Sequence, residues 1–197
     1  MADDLSIDRR MSALLVMDFQ KLIVDNYAVD AKALLNRTAK LIAAARTAEI
    51  VVIYVVVGFR PGYPEVSDRN VTFNGLKTLG AFAAGAESAK IHPAVAPLAE
   101  EIVVTKHRVS AFAGTDLDLI LRANDIETLI LTGIITSGVV LSTLRHAADA
   151  DYRLLVVGDC CSDRDEETHR VLLEKVFPWQ ATVTTAAGLE QVIGARR

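Results

Sequence analysis

The sequence predicts a three-layer α/β/α domain built on a six-stranded, mainly parallel sheet. Three observations lead there. Short apolar runs rich in β-branched residues alternate with longer segments of helical period, the pattern of strands joined by crossover helices. The strand-like runs are apolar almost throughout, as strands covered on both faces are. A length of 197 residues suits one domain with a full core and leaves little room for a second.

The elements follow in order. Ser12 to Met17 is the first strand. Leu34, Leu35, Thr38, Leu41, Ile42 and Ala45 then recur at helical spacing, so residues from about 28 to 47 form an amphipathic crossover helix. Ile50 to Val56 and Ile102 to Thr105 are the second and third strands. Thr115 with Asp118 three residues on resembles a capping box, Leu117, Ile120 and Leu121 supply the stripe, and Asn124 is placed to end that helix in a left-handed conformation. Thr128 to Thr132 is the fourth strand, and from Gly138 the residues Val140, Leu144, Ala147 and Ala148 form another stripe. Arg153 to Val157 is the fifth strand; Ser162 or Asp163 caps a last long helix that Pro178 terminates, before a sixth strand at Gln180 to Thr184. The βα alternation gives a Rossmann-like single domain over residues 1–197, with 1–9 expected to be a flexible N-terminus.

Gly58 to Ala94 interrupts this rhythm. It carries Pro61, Pro64, Pro93, several glycines, Asn70 and Asn74, and shows little periodicity, so it reads as a binding loop or lid, or as an oligomer contact. Its apolar residues Phe73, Leu76, Leu79 and Phe82 suit a contact between subunits, a pocket lining or the core.

Composition narrows the function classes. Half the residues are apolar (51%), 23% are charged and the net charge is -4, the profile of an ordinary soluble globular protein. No basic cluster suggests a nucleic-acid partner. The longest apolar runs fall far short of the about 20 residues a membrane helix needs, so no membrane partner is expected. The acidic start has no apolar signal core, which makes the cytoplasm the expected compartment. Cys160 and Cys161 are adjacent and cannot supply a disulfide framework or a four-ligand zinc site.

In an open parallel sheet the ligand crevice lies beyond the carboxyl ends of the strands. Three polar stretches fall there: Asp18-Phe19-Gln20, Lys106-His107-Arg108, and Gly133 to Val139 with Thr136, Ser137 and Gly138. An acid at one strand end and a lysine at a neighbouring one can pair across the crevice and exchange a proton with a substrate. The same residues also serve elsewhere as a helix cap and a solvated strand end.

From Ala13 to about Leu189 the chain resembles the isochorismatase-like hydrolases, the cysteine hydrolase superfamily. The matching pieces are the strand ending in Asp18-Phe19-Gln20, then Val104-Thr105-Lys106 with Ser110-Ala111-Phe112-Ala113-Gly114-Thr115-Asp116-Leu117, and then Leu131-Thr132-Gly133-Ile134-Ile135-Thr136 before a helix ending Ala147-Ala148-Asp149. The resemblance implies that Asp18 and Lys106 are catalytic. Amidase members complete a triad with a cysteine, and that position is Val139 here, whose isopropyl group neither donates a proton nor forms an acyl intermediate. Isochorismatases also lack the cysteine; in them the aspartate is thought to protonate the enol carbon of a vinyl ether before water captures the cation. The resemblance further implies a cis peptide at Ile134-Ile135 and an oxyanion hole from backbone N–H groups at Ile135 and Val139. Gly138 at the helix start would let a substrate carboxylate approach the backbone, or simply permit close packing. Val139 also reads as an ordinary buried helix residue.

Phe19, Gln20, Phe59, Arg60, Phe112, Thr136, Ser137 and Gly138 are the expected substrate-binding residues. Arg60 between Phe59 and Tyr63 suits an anionic or planar group, though a surface arginine is the commoner case. Metal-binding relatives carry an aspartate and two histidines after the second strand, where this chain reads Val57-Gly58-Phe59-Arg60-Pro61-Gly62-Tyr63, so no metal and no cofactor are expected. His92, His107, His146 and His169 have no metal-ligand spacing. The expected protein is therefore a hydrolase of a small metabolite acting by Asp18 and Lys106, as a homodimer or homotetramer. An inactive small-molecule-binding relative is the alternative, and an amidohydrolase using Cys160 or Cys161 is a third possibility.

Overall fold

Side chains along a strand point alternately to opposite faces, and in this chain that alternation assigns them to two helical layers. A computed structural model describes residues 7–194. Leu14 and Val16 of β1 (Ser12–Met17) face a cluster with Leu34, Leu41 and Ala45 of α2 (Ala31–Thr47) and with Leu189 and Ile193 of α7 (Ala186–Gly194). Ala13, Leu15 and Met17 face the other layer, with Leu117 and Leu121 of α4 (Leu117–Ala123) and Leu144 and Ala147 of α5 (Leu141–Asp149).

The sheet has six strands in the order β3-β2-β1-β4-β5-β6, and every neighbouring pair is parallel. The other strands are β2 (Val51–Val57), β3 (Ile102–Lys106), β4 (Thr128–Ile134), β5 (Arg153–Ser162) and β6 (Thr182–Thr184). From β1 the chain winds outward through β2 to β3, then returns to β4 and winds the other way. The reversal lies between β1 and β4, and in open parallel sheets the carboxyl ends at such a switch are where ligands bind. Gly133 allows the close approach needed there. A Cβ on it would meet the Met17 carbonyl oxygen at 3.0 Å and Val140 Cγ2 at 3.1 Å.

Several local expectations need correction. The helix expected from about 28 to 47 is α2, which starts a little later because Asp30, at φ 46°, caps it by accepting from the Ala33 N–H; a further short helix, α1 (Lys21–Tyr27), precedes it. Thr115 and Asp118 form no capping box; Asp116 is the N-cap of α4, and Thr115 Oγ1 accepts from the Leu117 N–H. Asn124 has φ -109°, and Asp125 takes the left-handed conformation one residue later. Asp165, rather than Ser162 or Asp163, caps α6 (Glu166–Val171), after which a π turn and a 3-10 turn containing Pro178 end the helical run.

The segment after β2 is more ordered than its composition suggests. Asn70 caps α3 (Val71–Thr78), and isolated bridges join Phe59 to Ala83 and Gln20 to Ile91. Phe73 and Phe82 are core residues, whereas Leu79 is exposed. Of the N-terminal residues expected to be flexible, 1–6 lie outside the described residues, while Ile7 is buried in the core.

Gly133→Ala should cost about 1–3 kcal/mol, because neither the Met17 backbone nor the Val140 side chain can retreat freely. Urea unfolding measures the loss; an unchanged midpoint would show that the strand ends are not tightly opposed.

Candidate active site

The site starts from the way β1 ends. Asp18 follows the last strand residue with φ 61°, and its N–H still donates to the Val55 carbonyl at 2.8 Å. The backbone therefore turns while remaining tied to β2. Lys106 is the last residue of β3, two strands away, and its Nζ lies 2.9 Å from Asp18 Oδ2 across the end of β2. Both side chains are almost sealed from water, 7% exposed for Asp18 and 4% for Lys106. Lys106 Nζ also donates to the Arg108 carbonyl at 3.3 Å.

Asp18 Oδ1 is buried and has no hydrogen-bond partner among the described residues. A buried carboxylate normally spreads its charge over several donors; this one has a single ammonium on one oxygen. Burial consequently pushes the Asp18 carboxyl above the usual carboxylate range, and the opposing pull of Lys106 does not cancel it. The result is a buried carboxyl with a raised pKa and one oxygen uncommitted.

Beyond β4 the Ile134–Ile135 bond is cis, as expected from the sequence resemblance, and a π turn over Thr136–Val140 leads into α5. The Ile135 carbonyl accepts from the N–H groups of Gly138 at 3.0 Å and Val140 at 3.3 Å. Asp163 holds the turn from the β5 side: its Oδ2 accepts from Ser137 N–H at 2.8 Å and from Ser137 Oγ at 2.6 Å. Thr136 Oγ1 lies 2.8 Å from His169 Nδ1. Burial lowers the His169 pKa, with the Asp163 charge opposing it. Val139 is 2% exposed and belongs to the α4/α5 side of the core.

The remaining sequence-named residues fall into distinct roles. Gln20 behaves like a piece of strand backbone: its Oε1 accepts from Val57 N–H, and its Nε2 donates to the Val57 and Ala89 carbonyls. Phe19 is a core side chain. Phe59 packs among Tyr63, Phe73 and His107, with ring centroids 5.3, 5.8 and 6.1 Å away. Arg60 is 71% exposed and pairs with Glu65. Phe112 stacks on His146 at 4.7 Å, and Thr143 Oγ1 ties its loop to α5 by accepting from the Ala111 N–H. Gly138 is half-buried at the turn.

Cys160 and Cys161 are both buried, and burial drives their thiols away from the reactive thiolate; Cys160 is pushed up to about 12. No group of three or more His, Cys, Asp or Glu among the described residues is arranged to hold a metal ion.

Asp163 and His169 were not singled out as site residues in the sequence, and His107 and Arg108 were named there only as part of the stretch after β3. The strand-end rule that found Asp18 and Lys106 also reaches Asp163 just past β5, and Arg108 two residues past Lys106.

The Asp18 carboxyl should titrate above the ordinary value near 4, and Lys106→Met should raise it further by removing the one charge that opposes burial. Carbon-13 NMR of the aspartate carboxyls reads this directly. A midpoint at or below the ordinary value would contradict the assignment. Because the folded pKa is raised, the associated stability is present below the unfolded pKa and lost as pH rises through the folded one.

Comparison with known proteins places this geometry in context. The isochorismatase domain model matches residues 12–188. A maleamate amidohydrolase of Pseudomonas putida is 30% identical over 168 residues, covering 83% of this chain and 78% of that protein. A ureidoacrylate amidohydrolase of Methylobacterium radiotolerans is 29% identical over 98% of this chain and 83% of its own length. Among solved structures, a cysteine hydrolase from Pseudomonas syringae pv. phaseolicola superposes with a TM-score of 0.88 at 24% identity, covering 98% of this chain and 99% of that one, a likeness of fold. With nearly the whole described chain matched, this protein belongs to the isochorismatase family of hydrolases.

Proposed function

We propose that this hydrolase acts on a small metabolite by proton chemistry at Asp18 and Lys106, without a thiol nucleophile, and that vinyl-ether cleavage is its reaction. The observation that carries the reading is the buried Asp18, its pKa raised and its Oδ1 uncommitted, beside a single ammonium. Val139 occupies the position where the family's amidases carry sulfur, so covalent acyl chemistry has no nucleophile there.

In this mechanism protonated Asp18 gives its proton to the enol carbon of the substrate. The oxygen-stabilised cation is captured by water, which returns a proton to the Asp18 carboxylate, and the resulting hemiketal collapses to a carbonyl compound and an alcohol. Lys106 stabilises the carboxylate between the two transfers. Backbone N–H groups at Ile135 and Val139 orient the substrate oxygen, with Thr136, Ser137 and Gly138 forming that wall and Phe19, Gln20, Phe59, Arg60 and Phe112 supporting the others. The enzyme works in the cytoplasm as a homodimer or homotetramer.

A second reading rests on the relatives: the maleamate and ureidoacrylate enzymes are amidohydrolases, and amide hydrolysis by this chain would need a nucleophile other than Val139. The buried, high-pKa cysteines disfavour that route. Loss of the thiol equally fits a relative that binds small molecules without turnover.

Asp18→Asn should lower kcat by about 10²–10⁴ while leaving the fold intact, the range general acid catalysis supplies. The wild-type rate should fall as pH rises through the raised Asp18 pKa, since the acid form does the work. Turnover unchanged in Asp18→Asn would refute the assignment. In Val139→Cys, new hydrolysis of maleamate is expected, with the introduced thiol completing a triad with Asp18 and Lys106.

A further inference from the structure

Two residues past Lys106 stands an arginine with no carboxylate within ion-pair distance among the described residues. Arg108 is half-buried two residues past Lys106, and its own carbonyl accepts from Lys106 Nζ. Its guanidinium donates to two neutral carbonyls, those of His107 at 2.5 Å and Glu65 at 3.1 Å, and lies 6.0 Å from the centroid of the Phe73 ring. Among the described residues it has no ion-pair partner. Arg37, Arg46, Arg60, Arg122 and Arg170 each pair with an acid, whereas the exposed contacts of Arg145 and Arg164 are, like those of Arg108, with neutral groups; of these three Arg108 is the one next to Lys106 in sequence. Glu65, whose carbonyl accepts from Arg108, turns its carboxylate Oε1 to Arg60 and leaves Oε2 buried without a partner, outside ion-pair distance of Arg108.

Two further facts narrow the role. A guanidinium has five N–H donors and only two are used, and none of its nitrogens is both sealed from solvent and unpartnered. At the ends of β1 and β3 the charges are Lys106 and Arg108 against Asp18, while the Asp163 carboxylate past β5 is engaged by Ser137. A half-buried cation without a counterion has lost hydration for little return, unless an anion arrives.

We infer that Arg108 is the residue by which the site recognises its substrate, and that the substrate carries a carboxylate which the guanidinium engages through its unused donors. The planar fork matches a carboxylate in two parallel hydrogen bonds, and the Phe73 face holds it in plane. Arg60, the sequence candidate for an anion clamp, is largely exposed and already paired. This inference rests on the hydrolase reading for the location of the site, but it concerns binding rather than turnover.

The test compares equilibrium binding of maleamate, which has one carboxylate, with maleamide, its neutral diamide, by titration calorimetry on the wild-type protein, Arg108→Gln and Arg108→Lys. Wild type should bind maleamate roughly tenfold tighter or more, the usual gain from a charge-assisted pair. Arg108→Gln keeps donors for the two carbonyls but removes the charge, and should reduce the preference to about twofold or less with maleamide affinity unchanged. Arg108→Lys keeps the charge without the fork and should retain part of the preference; if the glutamine variant does not fold, this drop for maleamate alone decides the matter. Equal binding of the two compounds by wild type, failure to bind maleamate, or a preference that survives Arg108→Gln would overturn the inference. So would equal loss of both ligands, which marks Arg108 as only a strap between β3 and the segment after β2. Charge-selective binding of maleamate sustains this inference even if Asp18→Asn leaves turnover of a vinyl ether unchanged, which would defeat the hydrolase mechanism alone; loss of turnover in Asp18→Asn without charge-selective binding would do the reverse.

Discussion

A carboxylate and an ammonium 2.9 Å apart, both nearly sealed from water, set the terms for the rest of this molecule. Burying either alone would be prohibitive, and burying them as a pair is still costly unless the geometry is good. The sheet supplies that geometry. Asp18 and Lys106 sit at the ends of β1 and β3, and their side chains meet across the end of the intervening β2, where Gly58 follows Val57. The register fixes the heights: Met17 pairs with Val55, and Lys106 pairs with Val57. A slip by one residue in either pairing would turn one of the two charges into a helical layer.

The turn after β4 is held on the opposite side of the crevice by a different set of groups. Asp163 secures the Ser137 end and His169 secures Thr136, so the start of α5 is fixed by contacts from β5 and α6 as well as by its own helix. The two halves of the site thus come from the two directions in which the sheet is wound, and they meet at the switch between β1 and β4. Gly133 is the point of closest approach, where even a methyl group would press on the Met17 carbonyl just before Asp18. Stability of the sheet centre and placement of the acid are therefore one problem.

Much of this was legible in the sequence because it depends on local pattern. The first strand, Ser12–Met17, agrees at both ends with its apolar run, since a strand buried on both faces writes its length directly in hydrophobic residues. Asp18 and Lys106 were legible because the parallel sheet puts strand ends at the crevice. The segment after β2 was not, because its order comes from distant partners: Phe59 and Ala83 bridge, and Gln20 reaches the Val57 and Ala89 backbone. Helix starts were misjudged where an acid chose a tertiary partner over its own helix. Asp163 caps the turn at Ser137 instead of α6, which falls to Asp165. The unbalanced charge of Arg108 was equally invisible, since pairing with Glu65 is decided by which of two arginines reaches it in three dimensions.

The central claim is that ligands react against the free oxygen of Asp18. A crystal structure of the protein soaked with a mixture of small metabolites tests it most directly. The account requires ligand density between Asp18, Lys106 and Val139, with a ligand atom in van der Waals or hydrogen-bond contact with Asp18 Oδ1. Density settling elsewhere, such as the concavity of about 590 Å³ lined by Arg122, Glu127, Tyr152 and Arg153 at the opposite end of the sheet, with the Asp18 pocket closed by protein groups, would contradict it.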